Sequence, residues 1–143
     1  MTVLRVKEFE DLVEMKMYYM DEVDAACGEA RLDGVTYVPY QQTIYIDKLE
    51  EAKQILKQGQ NYNPDDSVWL AGEAEDAGQT LLAYAQLVYT KNREWMQRTA
   101  AIDRIRLEAK IQIRSMSSPL AMYDVLLKVR DDLGNLDSVG GKL

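Results

Sequence analysis

The stretch TLLAYAQLVYTKNREWMQRTAAIDRIRLEAKIQIRSM, from Thr80 to Met116, decides the fold. Neither Gly nor Pro interrupts it, and Leu81, Val88, Trp95, Ile102, Ala109 and Met116 recur at heptad spacing along it. Such a repeat keeps one face of a helix apolar, so the pattern predicts a single long helix over 80–116 against which the other segments pack. At about 1.5 Å per residue that helix runs roughly 55 Å, whereas a compact chain of this length has a radius of gyration of only about 14–15 Å. Either the helix breaks near Lys91 and Asn92, where two polar residues interrupt the stripe, or its far end leaves the globule and packs on another subunit. We take the second reading, with a bend as the alternative. The first half, Leu81 to Val88, then belongs to the domain's own core. The half beyond it carries the partner interface, at Trp95, Ile102, Ile105, Arg106, Ala109 and Ile113. On that reading Ile102→Asp weakens oligomerisation.

Upstream, apolar residues from Val6 through Phe9, Leu12 or Val13, Met17, Met20 and Val23 to Cys27 fall at steps of three or four, predicting a first helix over 3–33 that stops at Gly34. Met15, Met17 and Met20 read as core filling. Val35 to Tyr40 is β-branched and aromatic around Pro39, and reads as an extended connector. A second helix follows over 40–58, closed by Gly59. Gln60 to Asp66 is turn-rich, and Asp66 or Ser67 is placed to cap a short helix over 67–76. Gly78 separates that helix from the long one, which Thr80 caps. Ser118 and Pro119 start a last helix over 118–133, with Gly134 as its stop and 135–143 as a flexible tail. The reading is an all-α helical bundle organised on one long helix, with an extended Pro-containing connector and one domain over residues 1–134.

The 143 residues include no His, a single Cys and a net charge of −7. Without His the chain lacks the commonest general base and a common transition-metal ligand, and one cysteine excludes an internal disulfide framework. Cys27 lies among small residues and reads as a buried structural thiol. The acidic field argues against general binding to nucleic acid or anionic membrane. No apolar run approaches the roughly 18 residues of a membrane span, and Glu8, Glu10 and Asp11 stand where an export signal would be apolar. Synthesis and residence in the cytoplasm are therefore expected. Glu73, Glu75 and Asp76 are neighbours, but consecutive carboxylates on a helix point apart, which is poor geometry for an acid and base pair. No catalytic, cofactor-binding or metal-binding residue emerges. Arg93, Arg104, Arg106 and Lys110 make the long helix locally basic, and the acidic first helix, within the fold or on a neighbour, is the expected counterpart.

Several landmarks recur in order: Glu29-Ala-Arg31-Leu, Gln41-x-x-x-Tyr45-x-x-Lys48-x-x-Glu51-Ala52, Leu70-Ala-Gly-Glu73, Thr80-Leu81, Trp95, and Arg106-Leu-x-Ala109-Lys110-x-x-Ile113. Together they resemble a helical module of proteins encoded among the tail and tail-fibre genes of tailed bacteriophages and prophages, over roughly residues 22–114. The chain departs from that pattern at Val38-Pro-Tyr-Gln-Gln42, where a Gly-rich connector is usual, and in the added helix after Pro119. The resemblance implies a non-enzymatic virion tail, fibre or baseplate component, made in the host cytoplasm. Its partners would be further copies of itself or other tail proteins, and it implies no catalytic residues. The alternatives are a tail-assembly chaperone not retained in the virion, and a small acidic regulator that binds a host protein.

Overall fold

Local capping chemistry sets most of the helix boundaries. A computed structural model describes residues 9–32 and 41–140, and every regular element in them is helical, as the sequence predicts. In chain order these are α1 (Leu12–Leu32), α2 (Gln41–Gln58), two 3-10 turns (Gly59–Asn61 and Pro64–Asp66), α3 (Leu70–Asp76), α4 (Leu81–Ser115) and α5 (Pro119–Gly140). The expected connector over 35–40 lies outside the described residues.

The hydroxyl of Thr80 accepts from the Ala83 N–H at 3.1 Å and starts α4. Ser118 accepts from Ala121 at 3.4 Å ahead of Pro119 and starts α5. Gly59 and Gly78 adopt positive φ, 57° and 67°. At Gly78 the N–H groups of Gly78 and Gln79 return to the carbonyls of Glu75 and Ala74, both hydrogen bonds closing α3 in a Schellman turn.

Three boundaries differ from the sequence reading: α3 begins at Leu70, three residues after the expected start at 67, and the start of α1 and the end of α5 also move. α1 begins at Leu12, and residues 9–11 are not helical; the expected helical positions 3–8 lie outside the described residues. The Asp11 carboxylate accepts from the Glu14 N–H at 2.7 Å, and the Glu14 carboxylate accepts from the Glu10 N–H at 2.9 Å. This is a capping box whose return bond falls one residue early. At the other end α5 does not stop at Gly134. It runs on to Gly140, so 135–140 is helix and not a loose tail. Buried Leu133 and partly buried Leu136 both pack on the core around that glycine, which offsets a helix penalty of about 1 kcal/mol.

The described chain comprises two compact units where its length suggested one domain. α1, α5 and the part of α4 from Gln97 onward form the first. Its core is Tyr19, Val23 and Cys27 of α1, Ile102, Ala109 and Ile113 of α4, and Met122, Val125, Leu126, Val129 and Leu133 of α5. α2, the two turns, α3 and α4 up to Met96 form the second, around Ala52, Ile55, Leu70 and Ala85. α4 is continuous through Lys91 and Asn92. Its length is therefore accommodated neither by a break nor by departure of its far end to another subunit: each half has a core of its own.

Phe9 folds back against Tyr18 and Tyr19, with ring centroids 5.4 and 5.9 Å apart. The face of α1 turned inward is thus the Tyr19, Val23 and Cys27 line. Leu12, Val13 and Met17, expected in the core, are exposed.

Because Gly134 is helical and a Cβ there meets nothing within 4 Å, Gly134→Ala is expected to stabilise the protein by about 0.5–1 kcal/mol in chemical denaturation. A helix stop in left-handed backbone at Gly134 would make the same substitution destabilising.

Candidate interaction surface

The six residues expected to face a partner do not share an outward surface. Ile102, Ala109 and Ile113 are buried in the first unit's core, and Ile105 packs against it. Arg106 is engaged with α1, and Trp95 alone of the six stands 40 % exposed. The chain's own α1 and α5 cover the apolar face that the sequence reading gave to a partner. Ile102→Asp accordingly places an unpaired carboxylate in a core and acts on folding, not on an interface.

Polar pairs fix how α1 lies on α4. Asp24 accepts from Arg106 Nε at 2.8 Å and from Lys110 Nζ at 3.0 Å. Asp103 accepts from Arg31 at 3.2 Å and Arg106 at 3.3 Å, the Ala30 carbonyl accepts from Arg98 at 2.7 Å, and the Arg114 carbonyl accepts from Lys16 at 2.5 Å. Partners descend along α4 as they ascend along α1, so the two helices are antiparallel. The expected pairing of the basic helix with the acidic one is met inside the chain by Arg106 and Lys110. Arg104 instead pairs loosely with Glu108 on the helix surface, at 3.8 Å.

Burial pushes the Asp24 carboxyl up, but hydrogen bonds from Lys110 and Arg106, with their charges, outweigh it and hold the group below its ordinary 3.8. The hydrogen bond that Arg106 donates to Asp24 holds the guanidinium above its ordinary value against burial, helped by the charges of Asp24 and Asp103. Burial pushes the Cys27 thiol up, which keeps it protonated and unreactive at neutral pH.

In the second unit one carboxylate organises the start of α3. Glu51 of α2 accepts from the backbone N–H groups of Val68 at 2.6 Å, Trp69 at 3.0 Å and Leu70 at 2.7 Å, and from the Ser67 hydroxyl at 3.1 Å. Ser67 in turn accepts from the Ala71 N–H at 2.8 Å, although the N-cap position of α3 falls to Trp69 and not to Asp66 or Ser67. These N–H groups would otherwise lack helical partners, and a negative charge suits a helix N-terminus. One turn earlier on α2, Lys48 donates to Glu73 at 2.9 Å. The other Glu73 oxygen is buried with no partner at hydrogen-bond distance. The Tyr84 phenol is near enough to feel it: burial first, then the Glu73 charge, raises Tyr84 above its ordinary value. Glu73 is thus a structural anchor, and Tyr45, Lys48, Glu51, Ala52, Leu70 and Glu73, all within the quoted pattern, belong to this one unit. The Glu51 clamp was missed because its partners lie 16 to 19 residues away. The only sign in the sequence is Lys48 and Glu51 on one face of α2.

What remains outward is apolar and charged. On α1, Val13 (67 % exposed) and Met17 (56 %) line an open depression of about 400 Å³ with Asp11, Glu14, Tyr18 and Asp21. On α4, Leu107 (47 %) and Ile111 (62 %) are exposed between Arg104 and Arg114. Among the described residues no group of His, Cys, Asp and Glu gathers as a metal ion would require, and no helix is long and apolar enough to cross a membrane. No protein-family model, curated protein or solved structure matches the chain.

Asp24 has a lowered folded pKa, so its contribution to stability is complete above the unfolded value near 3.8 and disappears as pH falls through the lower folded value. Asp24→Asn is therefore expected to cost stability at pH 7 and progressively less below about pH 4, as urea melts across pH will read. Glu51→Ala strands the N–H groups that open α3 and is expected to cost at least about 2 kcal/mol, with circular dichroism melts reporting the loss.

Proposed function

We propose that this chain is a non-enzymatic structural protein of a bacteriophage tail, fibre or baseplate. It works by helix packing in an oligomeric assembly, and is made in the host cytoplasm before its incorporation. The observation that carries the assembly part of this reading is the pair of outward apolar faces at helical spacing, Val13 with Met17 flanked by Asp11, Glu14 and Asp21, and Leu107 with Ile111 flanked by Arg104 and Arg114, with Glu108 beside them paired to Arg104. Apolar centres flanked by charge are what helix docking uses: the apolar area supplies affinity, and the charges set register and partner choice. The phage setting is supported by the ordered motif resemblance. The motif residues of the second unit act as its scaffold, through the Glu51 clamp and the Lys48–Glu73 pair.

The reading is tested by mass spectrometry of purified virions from a host producing the protein. Stoichiometric presence in the particle is expected. Absence from the particle, with recovery of the protein on unfinished tails, would overturn the component role in favour of an assembly helper. Recovery only with a host enzyme would overturn both tail roles.

A further inference from the structure

The two outward faces of the first unit complement each other. Val13 and Met17 are one turn apart on α1, as are Leu107 and Ile111 on α4, so each pair spans about 6 Å of helix. Carboxylates bracket the first pair: Asp11 and Glu14 at the start of α1, and Asp21 one turn beyond Met17. Guanidinium groups bracket the second, Arg104 one turn before Leu107 and Arg114 one turn after Ile111. Antiparallel docking of the two faces sets Met17 on Leu107 and Val13 on Ile111. It then sets Asp21 beside Arg104, and Asp11 beside Arg114. The same orientation brings the positive N-terminal end of α1, at Leu12, against the negative C-terminal end of α4, at Ser115. Glu108, the carboxylate on the α4 face, is offset by Arg104 on its own helix.

Both faces belong to the same chain, where each is exposed while α1 and α4 are already joined through Asp24 and Asp103. A single copy therefore offers an acidic socket and a basic ridge and fills neither. We propose that a second copy of this chain occupies the socket, laying the Arg104, Leu107, Ile111 and Arg114 face of its α4 into the depression around Val13 and Met17 on α1. The contact rests on the reading of the protein as an assembling one and names its surface. It joins two different patches, so it is reciprocal in a closed pair and propagates in any arrangement that does not close.

The test is light scattering on the full-length protein at low salt and at about 0.5 M salt, where surface charges are screened. A mass above the 16.4 kDa of one chain, reduced by salt, is expected. Met17→Asp and Ile111→Asp, both at exposed positions, are each expected to weaken association roughly tenfold or more with unchanged circular dichroism and melting. Asp21→Arg and Arg104→Asp are each expected to weaken it, and the two together in one chain to restore it. A wild-type monomer, or an assembly indifferent to Met17→Asp and Ile111→Asp, would overturn the contact. A protein monomeric in solution yet stoichiometric in virions would sink this interface and leave the proposed function standing.

Discussion

A backbone hydrogen-bond ladder that runs unbroken from Leu81 to Ser115 constrains everything else in this protein. A helix of some 50 Å exposes far more apolar side chain than one short neighbour can cover. α4 contributes residues to both units, and each unit has a core of its own. From Gln97 onward, α1 and α5 cover Ile102, Ala109 and Ile113. Before Met96, α2 and α3 cover Ala85 and its neighbours. Neither a kink at Lys91 and Asn92 nor a second subunit is needed to bury the stripe.

The two cores are held differently. The first is rich in full-sized aliphatic residues, each contributing about 1.5–3 kcal/mol on burial, and the Asp24 and Asp103 pairs fix the register of its helices. The second is centred on Ala52, Ile55, Leu70 and Ala85, a smaller apolar set. There a polar clamp carries more of the specification: Glu51 gathers three backbone N–H groups, and Lys48 holds Glu73. The same Lys48-x-x-Glu51 spacing reaches both sites because positions three apart share a face of α2.

What was legible in the sequence was local. The helical class followed from periodicity, Thr80, Ser118 and Pro119 marked helix starts, and Gly59 and Gly78 marked ends. The start of α1 was masked because apolar spacing continued through Phe9 past the Asp11-x-x-Glu14 box. Gly134 read as a stop because the packing of Leu133 and Leu136 that carries the helix across it is tertiary. Periodicity identified the inward face of α4 but not whose helices cover it, and so Ile102, Ala109 and Ile113 were assigned to a partner. The outward Leu107 and Ile111 carry no separate signal in the sequence, because the dominant heptad stripe masks a second apolar pair until its own face is filled.

The central claim is that the second half of α4 is buried by its own chain. Isotope-filtered nuclear Overhauser spectra on an equal mixture of labelled and unlabelled protein test it most directly. The account predicts contacts from the side chains of Ile102, Ala109 and Ile113 to residues such as Val23, Met122 and Val129 within one chain, and none of them between chains. Contacts from those three residues that survive the intermolecular filter would contradict it.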